Sequence, residues 1–241
     1  MNRPTIASLL LLTLLGLGAC NRPEATLTPT DSSSEAASPT TVTTPAETAP
    51  AVAPGTRVAQ DHILVPGQQV GQVTASTSRQ QLADLYGEAN LQDTEVHMGE
   101  GFMEPGTVVS IDNQPQFTVV WLDASRSRPL MARAFAPDWQ ISEGIGIGTP
   151  YATLQQALGN FQIYGFGWDY GGTLSLEGSQ LDLYYGLLLL RAEPSQASID
   201  AHPDAFQATL GDRLIPSTDP NLAQLDLRVT DMVVYLNEPM E

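Results

Sequence analysis

Asp93, Glu95 and His97 occupy alternate positions of one short stretch, and Glu100 and Glu104 follow closely. On a strand the first three would share one face, because successive side chains alternate. Carboxylate oxygens and an imidazole in that arrangement could hold a divalent cation. Structural zinc, however, favours Cys and His, and the chain has one Cys and three His, His62, His97 and His202, far apart in sequence. A solvated strand face is the simpler reading, and no metal is expected. Gly144, Gly146 and Gly148 suggest a nucleotide loop, but Thr149 stands where the dinucleotide fingerprint departs from this spacing. Close strand–helix packing accounts better for these glycines. Neither a G-x-S-x-G elbow nor an H-E-x-x-H helix is present. All ten basic residues are Arg, so Schiff-base chemistry, a P-loop lysine and Ser-Lys dyads are excluded. Among 27 carboxylates many acid pairs could be drawn, and spacing marks out none. The chain is therefore read as a protein without catalytic residues, metal or cofactor.

A second stretch has the residue types of a binding surface. "YGFGWDYGG", residues 164–172, sets Tyr164, Phe166, Trp168 and Tyr170 at every second position, with glycines between most of them. As a strand it would put the four aromatics on one face. Glycines within a strand often mark the close approach of another backbone. Two readings stay open. The aromatics either cover helices as core, or lie on the open sheet face, where Tyr and Trp supply contact area with a polar tip. The four are the candidate partner-binding residues.

The elements that must position these residues read as a pattern written twice. Val73–Gly87 and Ile145–Gly159 align at an offset of 72, with Thr77 on Thr149, Leu82 on Leu154 and Gly87 on Gly159. Each reads as an extended entry and a short helix. Thr77 with Gln80 suggests a capping box, and Thr149 precedes Pro150 at a first helical position. The two glycines suit left-handed caps. Strands are expected over Glu95–Met98, Thr107–Ile111, Phe117–Leu122 and Met131–Phe135. In the second copy they are expected over Tyr164–Tyr170, Thr173–Leu176, Leu181–Leu190 and Leu225–Leu236. Residues 191–224 interrupt that copy, with a further short helix over 202–211. The fold class is α+β: two tandem repeats, about 68–141 and 142–238, each a short helical segment on an antiparallel sheet, within a domain spanning 61–241. The motif Gly148, Thr149, Leu154, Gly159 resembles the β-lactamase-inhibitor-protein-like fold and the small outer-membrane lipoproteins that assist barrel assembly. That resemblance implies a sheet with helices on one side and a partner on the other.

The N-terminus supplies an address. Met1–Arg3 is a short positive start, an apolar run ends at Leu17, and Leu17-Gly18-Ala19-Cys20 resembles the lipobox of bacterial lipoproteins. The resemblance implies removal of residues 1–19 and acylation of Cys20, whose fatty chains would hold the protein on a membrane. Asn21 in place of the retention Asp leans toward the outer membrane, with the domain in the periplasm. Residues 20–60 carry the lipidated Cys and a Pro/Thr/Ser-rich linker. Its part from Asn21 to Thr56 would span about 30–40 Å as a flexible coil. Loss of residues 1–19, with one Arg and no acid, takes the net charge from −17 to −18. Such a surface repels nucleic acid and anionic headgroups, so attachment must come from the lipid. The expected function is a lipid-anchored envelope protein that binds an envelope protein partner. The alternative is a periplasmic small-molecule binder or hydrolase acting on envelope material.

Overall fold

The structure is a computed structural model describing residues 61–238. The leader, Cys20 and the linker lie outside the described residues. The chain enters through β1 (Ile63–Val65), β2 (Gln69–Val70) and β3 (Val73–Thr74) and runs into α1 (Arg79–Tyr86). After one 3-10 turn it builds a meander: β4 (Leu91–Gly99), β5 (Phe102–Ile111), β6 (Gln114–Trp121) and β7 (Pro129–Arg133). Next come β8 (Gln140–Ile141), α2 (Tyr151–Leu158), β9 (Gln162–Tyr164), β10 (Leu174–Ser175) and β11 (Leu188–Glu193). The chain ends through α3 (Gln196–Ala201), α4 (Pro203–Ala208), β12 (Leu214–Pro216) and β13 (Arg228–Tyr235).

Three sheets result, and the fold is α+β. A six-stranded antiparallel sheet has the order β11-β13-β7-β6-β5-β4. A three-stranded antiparallel sheet has the order β10-β9-β12, and a small sheet β3-β2-β1-β8 contains a parallel β1–β8 pair. The four strands expected in the first copy are all present. The β5–β6 pair is closed by a turn that matches sheet twist. Between β5 and β6, Asp112 and Asn113 both take positive φ (50° and 61°), the two-residue loop that suits twisted hairpins.

Register divides the large sheet into two faces. Val234, Ala132 and Val119 lie opposite one another in one row and join the main core. There they meet Leu82 of α1, Leu154 and Leu158 of α2, and the edge-to-face pair Phe117–Trp139, 4.8 Å apart. One residue along, Tyr235, Met131 and Val120 form the next row and point the other way. They belong to a second apolar cluster with Leu130 and Val233, flanked by Val96, Met98, Leu122 and Leu189. Both faces of this sheet are therefore apolar near its middle.

The two aligned junctions share their hydrogen bonding. Thr77 Oγ1 accepts from the Thr74 N–H at 2.9 Å, and Thr77 N–H donates to the Thr74 carbonyl at 3.1 Å. Thr149 and Gly146 make the same pair of bonds at the same two distances. These threonines are not the N-caps expected of them. Ser78 caps α1, in a capping box with Gln81 rather than Gln80, and Pro150 stands at the N-cap of α2 without a side-chain bond. Each Thr instead closes the turn before the helix, because its hydroxyl already serves the backbone three residues back. Gly87 and Gly159 have positive φ (85° and 67°) but ψ of 133° and −123°, outside the left-handed helical region expected.

Beyond the junctions the halves differ. The meander β4–β7 does not recur after α2. Tyr164–Tyr170 is a strand only to Tyr164, and the chain then turns through residues 167–172. Leu181–Leu190 is split by a 3-10 turn over Asp182–Tyr184, and the strand begins at Leu188. β9 and β10 leave the large sheet and pair with each other, and β9 also pairs with β12, which comes from the interrupting segment.

Candidate functional site

The glycines of residues 164–172 explain why that stretch is not one strand. A side chain at Gly165 would strike the Gly211 carbonyl, and one at Gly172 (φ 79°) would lie 2.5 Å from the Ala192 carbonyl. Close backbone approach is what the glycines permit, but the neighbours are the segment after α4 and β11. Gly171 N–H donates to the Trp168 carbonyl and Gly172 N–H to the Tyr164 carbonyl, both at 2.9 Å. These bonds fold the aromatic stretch into a compact turn.

The four aromatics are consequently separated. Phe166 is 4% exposed and stacks on Phe206 of α4, with centroids 5.8 Å apart, so it is core. Tyr164 is half-buried, and Tyr170, 67% exposed, leans on it at 6.2 Å. Trp168 is 61% exposed over a small hollow of about 200 Å³ that Ile199, Pro194 and Phe206 help to line. Neither reading of the stripe holds for all four residues, because a turn removes the period-two alternation that both assumed.

Tyr164 also leads to a larger feature. A cleft of about 550 Å³ opens between β10 and the start of β11. Leu174, Leu176 and Leu188, all buried, line it on the core side. Tyr164, Leu214, Tyr185 and Tyr235 add to the lining, and Tyr185 is 62% exposed. Leu189 and Tyr235 belong also to the second apolar cluster of the large sheet, so cleft and sheet face are continuous. Farther along that sheet, the β4–β5 hairpin exposes Phe102 and Met103. Glu177 and Glu238 are the charged residues lining the cleft. Tyr185, Leu214 and Tyr235 were not marked by the sequence reasoning. The turn signal Tyr184-Tyr185-Gly186, set inside an expected strand, could have been read as a break that exposes Tyr185.

The Asp93 region does different work. Asp93 Oδ1 accepts from Arg79 Nε at 2.8 Å and from Thr107 Oγ1 at 2.6 Å, and Oδ2 accepts from Arg126 Nη1 at 3.1 Å. Thr107 Oγ1 in turn accepts from the buried Trp121 indole N–H at 2.9 Å. Burial alone would raise the Asp93 carboxyl. The Arg79 and Thr107 bonds and the two Arg charges outweigh it and hold the carboxyl below its usual range. Arg79 also grips Glu88 with two bonds of 2.8 Å. This is a cross-brace between α1, β4, β5 and the loop before β7, with three donors on the carboxylate. His97 Nδ1 accepts from the Gly99 N–H, and His62 packs on Trp139 at 4.9 Å. Among the described residues no three His, Cys, Asp or Glu side chains stand together as a metal site.

Of Gly144, Gly146 and Gly148, only Gly146 has a packing explanation, and not the one expected; Gly144 and Gly148 face open space and take positive φ (75° and 87°). A side chain at Gly146 would strike the Trp139 carbonyl, so the close approach is to the strand-side backbone rather than to α2.

Comparison with known proteins yields little. No family model matches the chain, and no curated protein matches it. Among solved structures it is similar to the crystal structure of the uncharacterized protein yfeY from Escherichia coli, at 17% identity and a TM-score of 0.41, over 70% of this chain and 97% of that one.

Proposed function

We propose that the protein is a lipid-anchored component of a bacterial envelope, tethered through acylated Cys20, that binds another envelope protein without catalysing a reaction. The observation carrying the binding half is the cleft beside β11 and its continuity with the apolar face of the large sheet. Tyr185 and Tyr235 there combine apolar area with polar tips, as protein interfaces do, and Leu214 adds apolar area. The binding surface is thus moved from the four-residue aromatic stripe to this cleft, with Tyr164 and Tyr170 at its margin. The anchoring half draws on Leu17-Gly18-Ala19-Cys20 and on the acidic net charge, which leaves lipid as the means of attachment. The missing retention Asp after Cys20 favours the outer membrane.

Two experiments test this. Labelled palmitate should enter the mature protein and be lost in Cys20→Ala, with release of that variant to the soluble fraction. A photocrosslinking residue at position 185 should yield discrete protein adducts in intact cells, lost when Leu214→Asp is added. Adducts with lipid alone, or with nothing, would defeat the binding reading. The small-molecule reading draws on the same cleft, whose volume lies within the range of ligand sites. It requires tight retention of an extractable compound by the purified protein.

A further inference from the structure

The cleft lies between two sheet edges. β11 is the last strand of the six-stranded sheet, and β10 is the last strand of the three-stranded one. They meet at the Thr173–Arg191 bridge, where the Ala192 N–H donates to the Gly172 carbonyl at 2.8 Å. From there they diverge, and residues 173–177 and 185–189 line the opening continuously. Consecutive lining residues mean that backbone as well as side chain faces the space. Tyr235 N–H donates to the Leu187 carbonyl, and Leu188 and Leu189 lie opposite Val234 and Val233. Alternation in an antiparallel ladder then turns the N–H and C=O of Leu188 away from β13, toward the β10 side, while Leu190 beyond it lies at the Thr173–Arg191 bridge and outside the cleft. An unpaired edge of this kind is a template for another strand.

Resting on the reading above that this cleft binds a protein, we infer that its occupant is an extended segment of that partner, rich in β-branched or aromatic residues and carrying basic side chains. It adds to β11 as a strand. The apolar lining accepts alternate side chains, and main-chain bonds to the N–H and C=O of Leu188 supply register. Charge selects the occupant: Glu177 and Glu238 line the cleft, and among the described residues no basic side chain does. A cationic peptide is favoured and an anionic lipid headgroup is opposed. The chain's own segment Asn21–Thr56 fits poorly, since it is acidic and nearly without large apolar residues.

The test uses the full chain and a seven-residue synthetic peptide alternating Val and Thr with Lys at both ends. It should bind, and amide exchange at Leu188 should slow further in its presence. N-methylation of the peptide amides that face β11 should weaken binding about tenfold or more. The same peptide with Glu in place of Lys should bind worse than the Lys form, and Glu177→Lys with Glu238→Lys should reverse that preference. Equal binding of the methylated peptide, or of the Glu peptide, overturns the inference. So does exchange at Leu188 that the peptide leaves unchanged. Discrete position-185 adducts in cells without peptide binding would sink the strand inference and leave the protein-binding reading intact. Loss of both would sink the two together.

Discussion

The segments Thr74–Gly87 and Gly146–Gly159 take the same path, while the strands after them do not. Each junction closes a turn with a Thr hydroxyl, buries a Leu at the same helical position and ends on a glycine of positive φ. After the first, four strands pair in order. After the second, two short strands leave for a separate sheet, and the next joins the large sheet at its edge. The shared part depends on contacts within a dozen residues. The divergent part depends on what the interrupting segment supplies: β12 pairs with β9, and β10 on the other side of β9 touches the β11 edge at the Thr173–Arg191 bridge before the two part. The candidate site lies where the second half departs from the first.

That contrast can be tested from its strongest element downward. Leu82→Ala and Leu154→Ala should each cost about 2–5 kcal/mol, since both side chains are fully buried. Urea unfolding should give similar losses for the pair, and a loss below 1 kcal/mol at either site would break the equivalence of the junctions. Gly172→Val should cost about 2–3 kcal/mol, from strain at φ 79° and collision with the Ala192 carbonyl. Hydrogen exchange should then rise in β9, β10 and β12 more than in β4–β7. A uniform rise would mean that the small sheet is not a separate unit. Thr77→Val and Thr149→Val should each cost about 1 kcal/mol by removing one acceptor from a turn N–H.

Acid should weaken the brace of the first half. The Asp93 carboxyl titrates lower in the folded chain than its ordinary value of 3.8. Its contribution is therefore fully present above that value and is lost as pH falls through the folded one. Asp93→Asn should lower stability near neutrality and flatten its fall on acidification below about pH 4, as read from unfolding midpoints across pH. An unchanged pH profile would remove Asp93 from the account. Smallest of all, Trp168→Ala and Tyr185→Ala should change stability by no more than about 0.5 kcal/mol, because both side chains are mostly exposed. Tyr185→Ala should nevertheless reduce partner capture, and the effect of Trp168→Ala on capture measures how far the surface extends beyond the cleft.

The residues by themselves determined the local features. The α+β class, the strands of the first half, the two helices near the aligned threonines and the helix near His202 were all legible. Each rests on periodicity, capping or turn chemistry within a short window. The glycines between the aromatics correctly signalled close backbone approach. What approaches them, the Gly211 and Ala192 carbonyls, comes from 20 to 46 residues away and carries no local mark. Tertiary structure alone therefore decided that Phe166 goes inside while Trp168 stays out. It also decided that Asp93, on the solvated strand face expected of it, braces α1, and that β10 and β11 part to leave an apolar cleft. Strand pairing across long loops is set by which edges meet, and that depends on the whole packed chain.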